Sequence, residues 1–312
     1  MVEVNREHVL EAARRIAGSV VRTPLAAASI RGRSVWLKCE CLQTGGAFKL
    51  RGASNRLLAL SEEERSRGVV AFSSGNHAQG VAIAAHRLGI KATIVMPSDA
   101  PALKVEGTRA NGAQIIFYDR MTESREAIAA EIAASSGAIV VPSFDDPWIV
   151  AGQGTVGLEI IDELGGDPPV IAVPVGGGGL ASGIALACPE SRIIGAEPEG
   201  WDDMRASIEQ GEIIPVSHNP PPTLCDALQT PRVSPITFSI LDSREANIVS
   251  VSDAEVSDAV RWAWSAHKLV VEPGGAAALA AVLSSKTEAE EGMVIVLSGG
   301  NIDPALHERL VA

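Results

Sequence analysis

Short apolar runs, each leading into a helical stretch, constrain this chain more than any other feature of its 312 residues. Val69–Phe72 reads as a buried strand, residues 77–88 as a helix closed by Gly89, and residues 92–96 as the next strand. A helix over 103–110, a strand over 115–117, an alanine-rich helix over 122–135 and a strand over 139–141 continue the series. Strands that alternate with helices in this way pair in parallel and carry their helices on the sheet faces. A second series follows, with a helix over 149–164, a strand over 170–175, a helix over 180–187 and a strand over 193–196. The capping box Ser252-Asp253-Ala254-Glu255 starts a helix running to Leu269, and residues 293–297 form a last buried strand. Before Val69, residues 5–17 put Val9, Ala12, Ala13 and Ile16 on one helical face behind the N-cap Asn5, and residues 35–39 read as a strand. The expectation is an α/β protein of two lobes, each an open, mainly parallel sheet flanked by helices. Residues 69–146 make the small lobe; residues 1–68 with 147–312 make the large one.

A net charge of −12 and the lack of any basic cluster argue against a nucleic-acid surface. Cys39, Cys41, Cys188 and Cys225 are scattered, which suits reduced thiols rather than a disulfide framework. Cys39 and Cys41, two apart on the expected strand, are read as core thiols on one face. No long apolar run opens the chain, so we expect neither signal peptide nor membrane span, and a cytoplasmic protein.

Three stretches carry chemistry. The strand-to-helix turn Gly176-Gly177-Gly178-Gly179, followed by Leu180, can aim several backbone N–H groups at one phosphate. A plain tight turn would need only one or two glycines. Gly176-x-Gly178-x-x-Ala181 also fits a dinucleotide fingerprint, with Glu197 about twenty residues on where a ribose-binding acid would stand. Ser73-Ser74-Gly75-Asn76-His77 ends a strand and opens a helix, a place for a carboxylate; the alternative is an ordinary N-cap. Lys49, in Gly45-Gly46-Ala47-Phe48-Lys49-Leu50-Arg51-Gly52-Ala53, sits just inside a helix start, where the positive helix end favours a neutral amine. By itself it reads first as a solvent-facing lysine, as most lysines are.

Together these stretches resemble the serine/threonine dehydratase and serine racemase family, pyridoxal-phosphate enzymes of fold type II (tryptophan synthase β-like). Ala151-Gly152-Gln153-Gly154-Thr155, Glu272-Pro273-Gly274-Gly275-Ala276 and Ser298-Gly299-Gly300-Asn301 add to the likeness, and the motifs run in family order over nearly the whole chain. The resemblance implies pyridoxal 5′-phosphate as cofactor and displaces the nicotinamide reading. It makes Lys49 the Schiff-base lysine and general base, with Phe48 packed beside the ring. Asn76 would meet the ring's phenolic oxygen, Gly176 to Leu180 the phosphate, and Ser298 the pyridine nitrogen. Ser73, Ser74, Gly75, Asn76 and His77 would hold the substrate carboxylate.

The implied reaction is β-elimination from L-threonine, L-serine or 3-hydroxyaspartate to a 2-oxo acid and ammonia. Family racemases use a serine at Ser74 as second acid/base, so racemisation is the alternative, while Phe144 is similar to dehydratases. Arg125 is a candidate for a second substrate carboxylate, or simply a surface ion-pair residue. Glu197, Trp201 (through its carbonyl) and Asp203 resemble the family's site for Mg²⁺ or Ca²⁺, whose oxygen ligands suit hard cations. Gly45, Ala47 and Leu224-Cys225-Asp226-Ala227 depart from the family pattern and leave the shape of the substrate open. A homodimer acting on a free amino acid, with no C-terminal regulatory domain, completes the expectation.

Overall fold

The computed structural model describes residues 4–73, 75–100, 102–119 and 121–312. Strands β1 (Leu25–Ile30), β2 (Arg33–Lys38), β3 (Val69–Phe72), β4 (Ala92–Pro97) and β5 (Gln114–Tyr118) are followed by β6 (Ile139–Val140), β7 (Val170–Pro174), β8 (Arg192–Pro198), β9 (Asn247–Val251) and β10 (Val294–Val296). Helices α1 (Arg6–Ile16), α2 (Lys49–Leu58), α3 (Glu62–Arg67), α4 (Asn76–Leu88), α5 (Ala102–Ala110) and α6 (Arg125–Ser136) lie before the midpoint. The rest are α7 (Pro147–Leu164), which spans the midpoint, α8 (Gly179–Ala187), α9 (Asp203–Gln210), α10 (Pro235–Ser243), α11 (Asp253–His267), α12 (Pro273–Leu283) and α13 (Pro304–Val311).

The strands form two sheets, ordered β1-β2-β10-β7-β8-β9 and β5-β4-β3-β6. Every pairing is parallel except β1 with β2. That hairpin turns through Arg31 and Gly32, both with positive φ (51° and 76°), the geometry of a two-residue primed turn. In the larger sheet alternate residues face opposite layers. Val170 and Ala172 pack with α11 and α12, while Ile171 and Val173 pack with α1, α7 and α8. Residues buried on both faces read as continuous apolar runs, which is why these strands were legible. In the smaller sheet Val69, Ala71 and Ile94 pack with α2 and α4, and Val70 and Val95 with α6. Among the described residues, no helix is long and apolar enough to cross a membrane.

Helix α2 lies against both α4 and α7, with Leu50, Ala53 and Leu57 in the core of the smaller sheet. Gly80 permits the α4 contact, since a Cβ there would come within 3.0 Å of the Lys49 carbonyl carbon. Behind α2 the Arg51 guanidinium is fully buried between two carboxylates, Glu40 at 2.8 Å and Glu159 at 2.6 Å. Lys38, also fully buried, reaches Glu159 at 2.7 Å and the Thr23 carbonyl at 2.6 Å. Two cations thus face two anions, and this balance makes their joint burial tolerable.

Two details differ from expectation. Cys39 and Cys41 are buried, but the chain turns between them into a 3-10 helix, Glu40–Leu42, so they share no strand face. Helix α6 begins at Arg125, capped by Ser124, because a polar turn holds the preceding residues: Glu123 returns its carboxylate to the Asp119 N–H at 2.7 Å.

Candidate active site

The carboxyl ends of β3, β7 and β10 open onto one cleft between the two sheets. Its wall includes Phe48, Lys49, Ser73, Gly75, Asn76, His77, Gly176 to Leu180 and Ser298. The structure therefore gathers candidate residues of four distant motifs in one place. Ser74 lies outside the described residues.

Lys49 is the first residue of α2, and its amine donates to the Ser143 carbonyl at 3.0 Å. Burial lowers its pKa to about 8. The expected basis was the helix end; loss of water is the cause instead. The backbone around it is pinned: Phe48 N–H bonds the Ser298 carbonyl at 3.2 Å, and Ala47 bridges Gly299. Lysine and serine walls are thus set against each other by main-chain contacts rather than by flexible side chains.

Gly178 caps α8 in the left-handed region (φ 84°), where a side chain would be strained and would also meet Met204 and Thr237. The Phe144 ring packs on Gly177 so closely that no Cβ fits between them, and Phe144 also flanks Gly179. These glycines answer to specific neighbours, not merely to the sharpness of the turn.

Among the described helix starts, α9 gives its Met204 and Arg205 N–H groups to Glu197 of β8 rather than to its own N-cap Asp202, and the others divide into two groups. Those of α1, α3, α6, α7, α10, α11 and α13 are capped by their own Asn, Ser or Asp side chains. Those of α2, α4, α8 and α12 carry no side-chain cap, and their N-cap residues Phe48, Gly75, Gly178 and Glu272 all line the cleft. Free N–H groups and positive helix ends thus concentrate where an anionic ligand would bind. This weighs against Ser73 or Asn76 as a plain N-cap: the Ser73 hydroxyl accepts from Gly75 N–H at 3.2 Å, outside the helix.

Asn76 gives one amide hydrogen to Glu272 and accepts from Asn301 Nδ2 at 2.8 Å. The His77 ring is buried and tied through Nε2 to the Val141 carbonyl at 2.9 Å. Burial, with the Lys49 charge adding to it, lowers its pKa to about 3, so the ring is neutral. Ser298 is buried on the opposite wall, its N–H held by the Gly275 carbonyl at 3.2 Å. Arg125 also lines the cleft, bonded to Glu126 at 2.8 Å and with its guanidinium carbon 5.4 Å from the Phe72 ring centre.

Away from the cleft, Glu197 is fully buried at the end of β8 and accepts the N–H groups of Met204 and Arg205 at 3.1 and 2.9 Å. Asp203 is 3% exposed, and neither of its carboxylate oxygens has a hydrogen-bond partner. Burial raises Asp203 to about 7, and burial together with Asp203 raises Glu197 well above the usual range. Trp201, on the turn between them, sends its indole N–H to the Pro221 carbonyl at 2.8 Å. Buried, unpartnered carboxylate oxygens fit a hard cation.

A sequence-family model described as pyridoxal-phosphate dependent enzyme matches residues 16–299. The chain belongs to that family. Of proteins with assigned activities, an L-threo-3-hydroxyaspartate ammonia-lyase from a Pseudomonas species is 43% identical over 95% of this chain and 94% of its own. The L-threonine ammonia-lyase of Thermotoga maritima is 42% identical over 99% of this chain and 78% of its own. The structure of maize serine racemase superposes with a TM-score of 0.93 at 38% identity, covering 98% of this chain and 96% of that one. The fold is thus that of the type II enzymes, and pyridoxal phosphate is the family's cofactor. The cleft fits it: a glycine turn at an uncapped helix start faces a buried amine.

Sequence reasoning missed part of the wall. Lys104 looks like any helical lysine, and Asp226 was noticed only as a departure from a pattern. Glu272 belongs to a motif that assigns it no role. Its position just before Pro273, which begins α12, marks an N-cap and was the available signal.

Proposed function

We propose that this enzyme is an ammonia-lyase that eliminates the β-hydroxyl of an amino acid, L-threonine, L-serine or 3-hydroxyaspartate, to give a 2-oxo acid and ammonia. One observation carries the reading: an amine of lowered basicity, a four-glycine turn at a helix start and a buried serine open onto one cleft. When bound, pyridoxal phosphate supplies an electron sink for negative charge at the substrate α-carbon. Lys49 is the residue that would hold the cofactor covalently and, once displaced by substrate, take the α-proton as general base. The N–H groups of Gly176 to Leu180 would hold the phosphate, with Phe48 beside the ring. Asn76 would donate to the ring's phenolic oxygen. Ser298, a neutral partner for the ring nitrogen, suits quick loss of a β-hydroxyl over a long-lived carbanion. Residues 73–77 at the uncapped start of α4 would orient the carboxylate. We also propose that residues 69–146 close as a small lobe over the substrate and exclude water.

Arg125 extends the reading to a dicarboxylic substrate. Assays of 2-oxo acid from the three substrates test it. Arg125→Met should lower kcat/KM for 3-hydroxyaspartate about tenfold or more relative to threonine, the scale of a charged hydrogen bond. Equal losses on both would remove Arg125 from substrate selection. The absence of 2-oxo acid from all three would overturn the lyase reading. Racemisation through Lys49 and Ser74 is the second reading, supported by the serine at 74 and the likeness to maize serine racemase; D-serine formation would reveal it.

A structural Mg²⁺ or Ca²⁺ on Glu197, Asp203 and the Trp201 carbonyl is part of the proposal, supported by the unpartnered Asp203 oxygens. An acid whose pKa is raised on folding destabilises the fold as pH rises, and a cation relieves this by replacing the proton. Added Mg²⁺ or Ca²⁺ should therefore raise Tm, with a gain that grows as pH passes through about 7. Asp203→Asn should erase the gain; a Tm indifferent to both ions above neutral pH counts against the site. The reading extends to a cytoplasmic homodimer, of which sedimentation would check the dimer.

A further inference from the structure

Behind Asn76 a chain of charges crosses from one sheet to the other. Lys104 on α5 is 3% exposed, pairs with Asp226, and lies 4.0 Å from Oε2 of Glu272 at the start of α12. Glu272 is 1% exposed; its Oε1 accepts from Asn76, and its Oε2 has no hydrogen-bond partner. On the other side, Asn301 donates to the Asn76 oxygen at 2.8 Å and to the Gly45 carbonyl at 2.7 Å. The Asn76 amide is therefore fixed at both ends. Its oxygen is engaged by a donor, one N–H by an acceptor, and a single N–H is left to serve the cleft.

We propose that Glu272 and Lys104 are positioning residues that fix Asn76 as a hydrogen-bond donor to the bound cofactor, so that the charge on Glu272 is felt at the cofactor through that amide. This rests on the pyridoxal-phosphate reading of the cleft. An ionised Glu272 only accepts, so it holds the Asn76 N–H. A protonated Glu272 can donate, which frees the amide to turn.

Burial lifts the Glu272 pKa to about 7, with Lys104 opposing the rise and Asp226 adding to it. The charged and titratable groups around it are Lys104 from α5, Asp226 and the buried Cys225 thiol from the loop entering the short helix Asp226–Leu228, Lys49 on the cleft side, and Asp303 across the cavity behind. Removing Lys104 leaves the negative charge less favoured, so the titration moves up. Neutralising Asp226 removes a repelling charge and leaves Lys104 to Glu272 alone, so it moves down. The two variants therefore shift in opposite directions.

The test is a pH titration of the visible absorption of the protein loaded with pyridoxal phosphate. The wild type should show a midpoint near 7. Lys104→Met should raise it, and Asp226→Asn lower it, by about one pH unit each, the scale for a charge a few ångströms away. Glu272→Gln, nearly isosteric, should abolish it. Asp226 is half-exposed, so its variant tests the sign even where the loss of buried Lys104 prevents folding. A wild-type spectrum without this midpoint, or one that keeps it unmoved in the variants, overturns the positioning role and leaves the cofactor reading intact. A protein that takes up no pyridoxal phosphate overturns the cofactor reading itself.

Discussion

Lys49→Ala should reduce 2-oxo acid formation about 10⁴-fold or more, because in the roles proposed for it the variant loses both the covalent hold on the cofactor and the base for the α-proton. The amine is suited to both tasks. Burial brings its pKa down to about 8, so a usable fraction is neutral near physiological pH. The Ser143 carbonyl, 3.0 Å away, and the Phe48–Ser298 main-chain bond fix where it points. Borohydride treatment separates the two roles. In the wild type it should leave the cofactor bound to the Lys49 peptide; in the variant the phosphate cradle can still take up cofactor, but none should become covalent. A variant within tenfold of wild type would remove Lys49 from the chemistry.

Arg51→Met should lower unfolding free energy by about 3–5 kcal/mol, the usual loss when one member of a buried ion pair is deleted. The guanidinium is the hub of the cluster, bonded to Glu40 twice at 2.8 Å, to Glu159 at 2.6 and 2.9 Å, and to Thr155 at 3.2 Å. Without it Glu159 keeps Lys38 and Glu40 keeps only the Thr23 hydroxyl among the contacts described. The matched control is Arg22→Met, which breaks the exposed pair with Asp162 and should change stability by no more than about 1 kcal/mol. Denaturant midpoints at constant slope measure both. A loss at Arg51 as small as at Arg22 would mean that the buried cluster is solvated. Because Arg51 stands two residues after Lys49, the variant should also loosen the first turn of α2 and lower activity in the protein that remains folded.

The parallel strands were legible because both of their faces are buried, so Val69–Phe72 and Val170–Pro174 read as unbroken apolar runs with a glycine or serine turn after each. Helix α12 was not, for the converse reason. Pro273 to Val282 is buried all round, so PGGAAALAAV shows no amphipathic period to find. Strand β1 was hidden by its composition: LAAASI favours helix locally, and only pairing with β2 across the Arg31-Gly32 turn makes it a strand. In the cleft, Lys49, Asn76, the glycine turn and Ser298 announced themselves through motifs. Lys104 and Asp226 did not, because an ion pair between residues 104 and 226 is a product of tertiary approach and leaves no local mark.

The uncapped helix starts at Phe48, Gly75, Gly178 and Glu272 bear on any attempt to toughen this protein. A stabilisation campaign that scores each helix separately would mark Gly75 for replacement, since a Ser or Asp cap there promises roughly a few tenths of a kcal/mol. The gain would come from occupying the very N–H groups left open to the cleft. Tolerance to heat and competence at the cleft are therefore opposed at these helix starts. Variants selected only for melting temperature should accumulate there first and lose ligand affinity as they do.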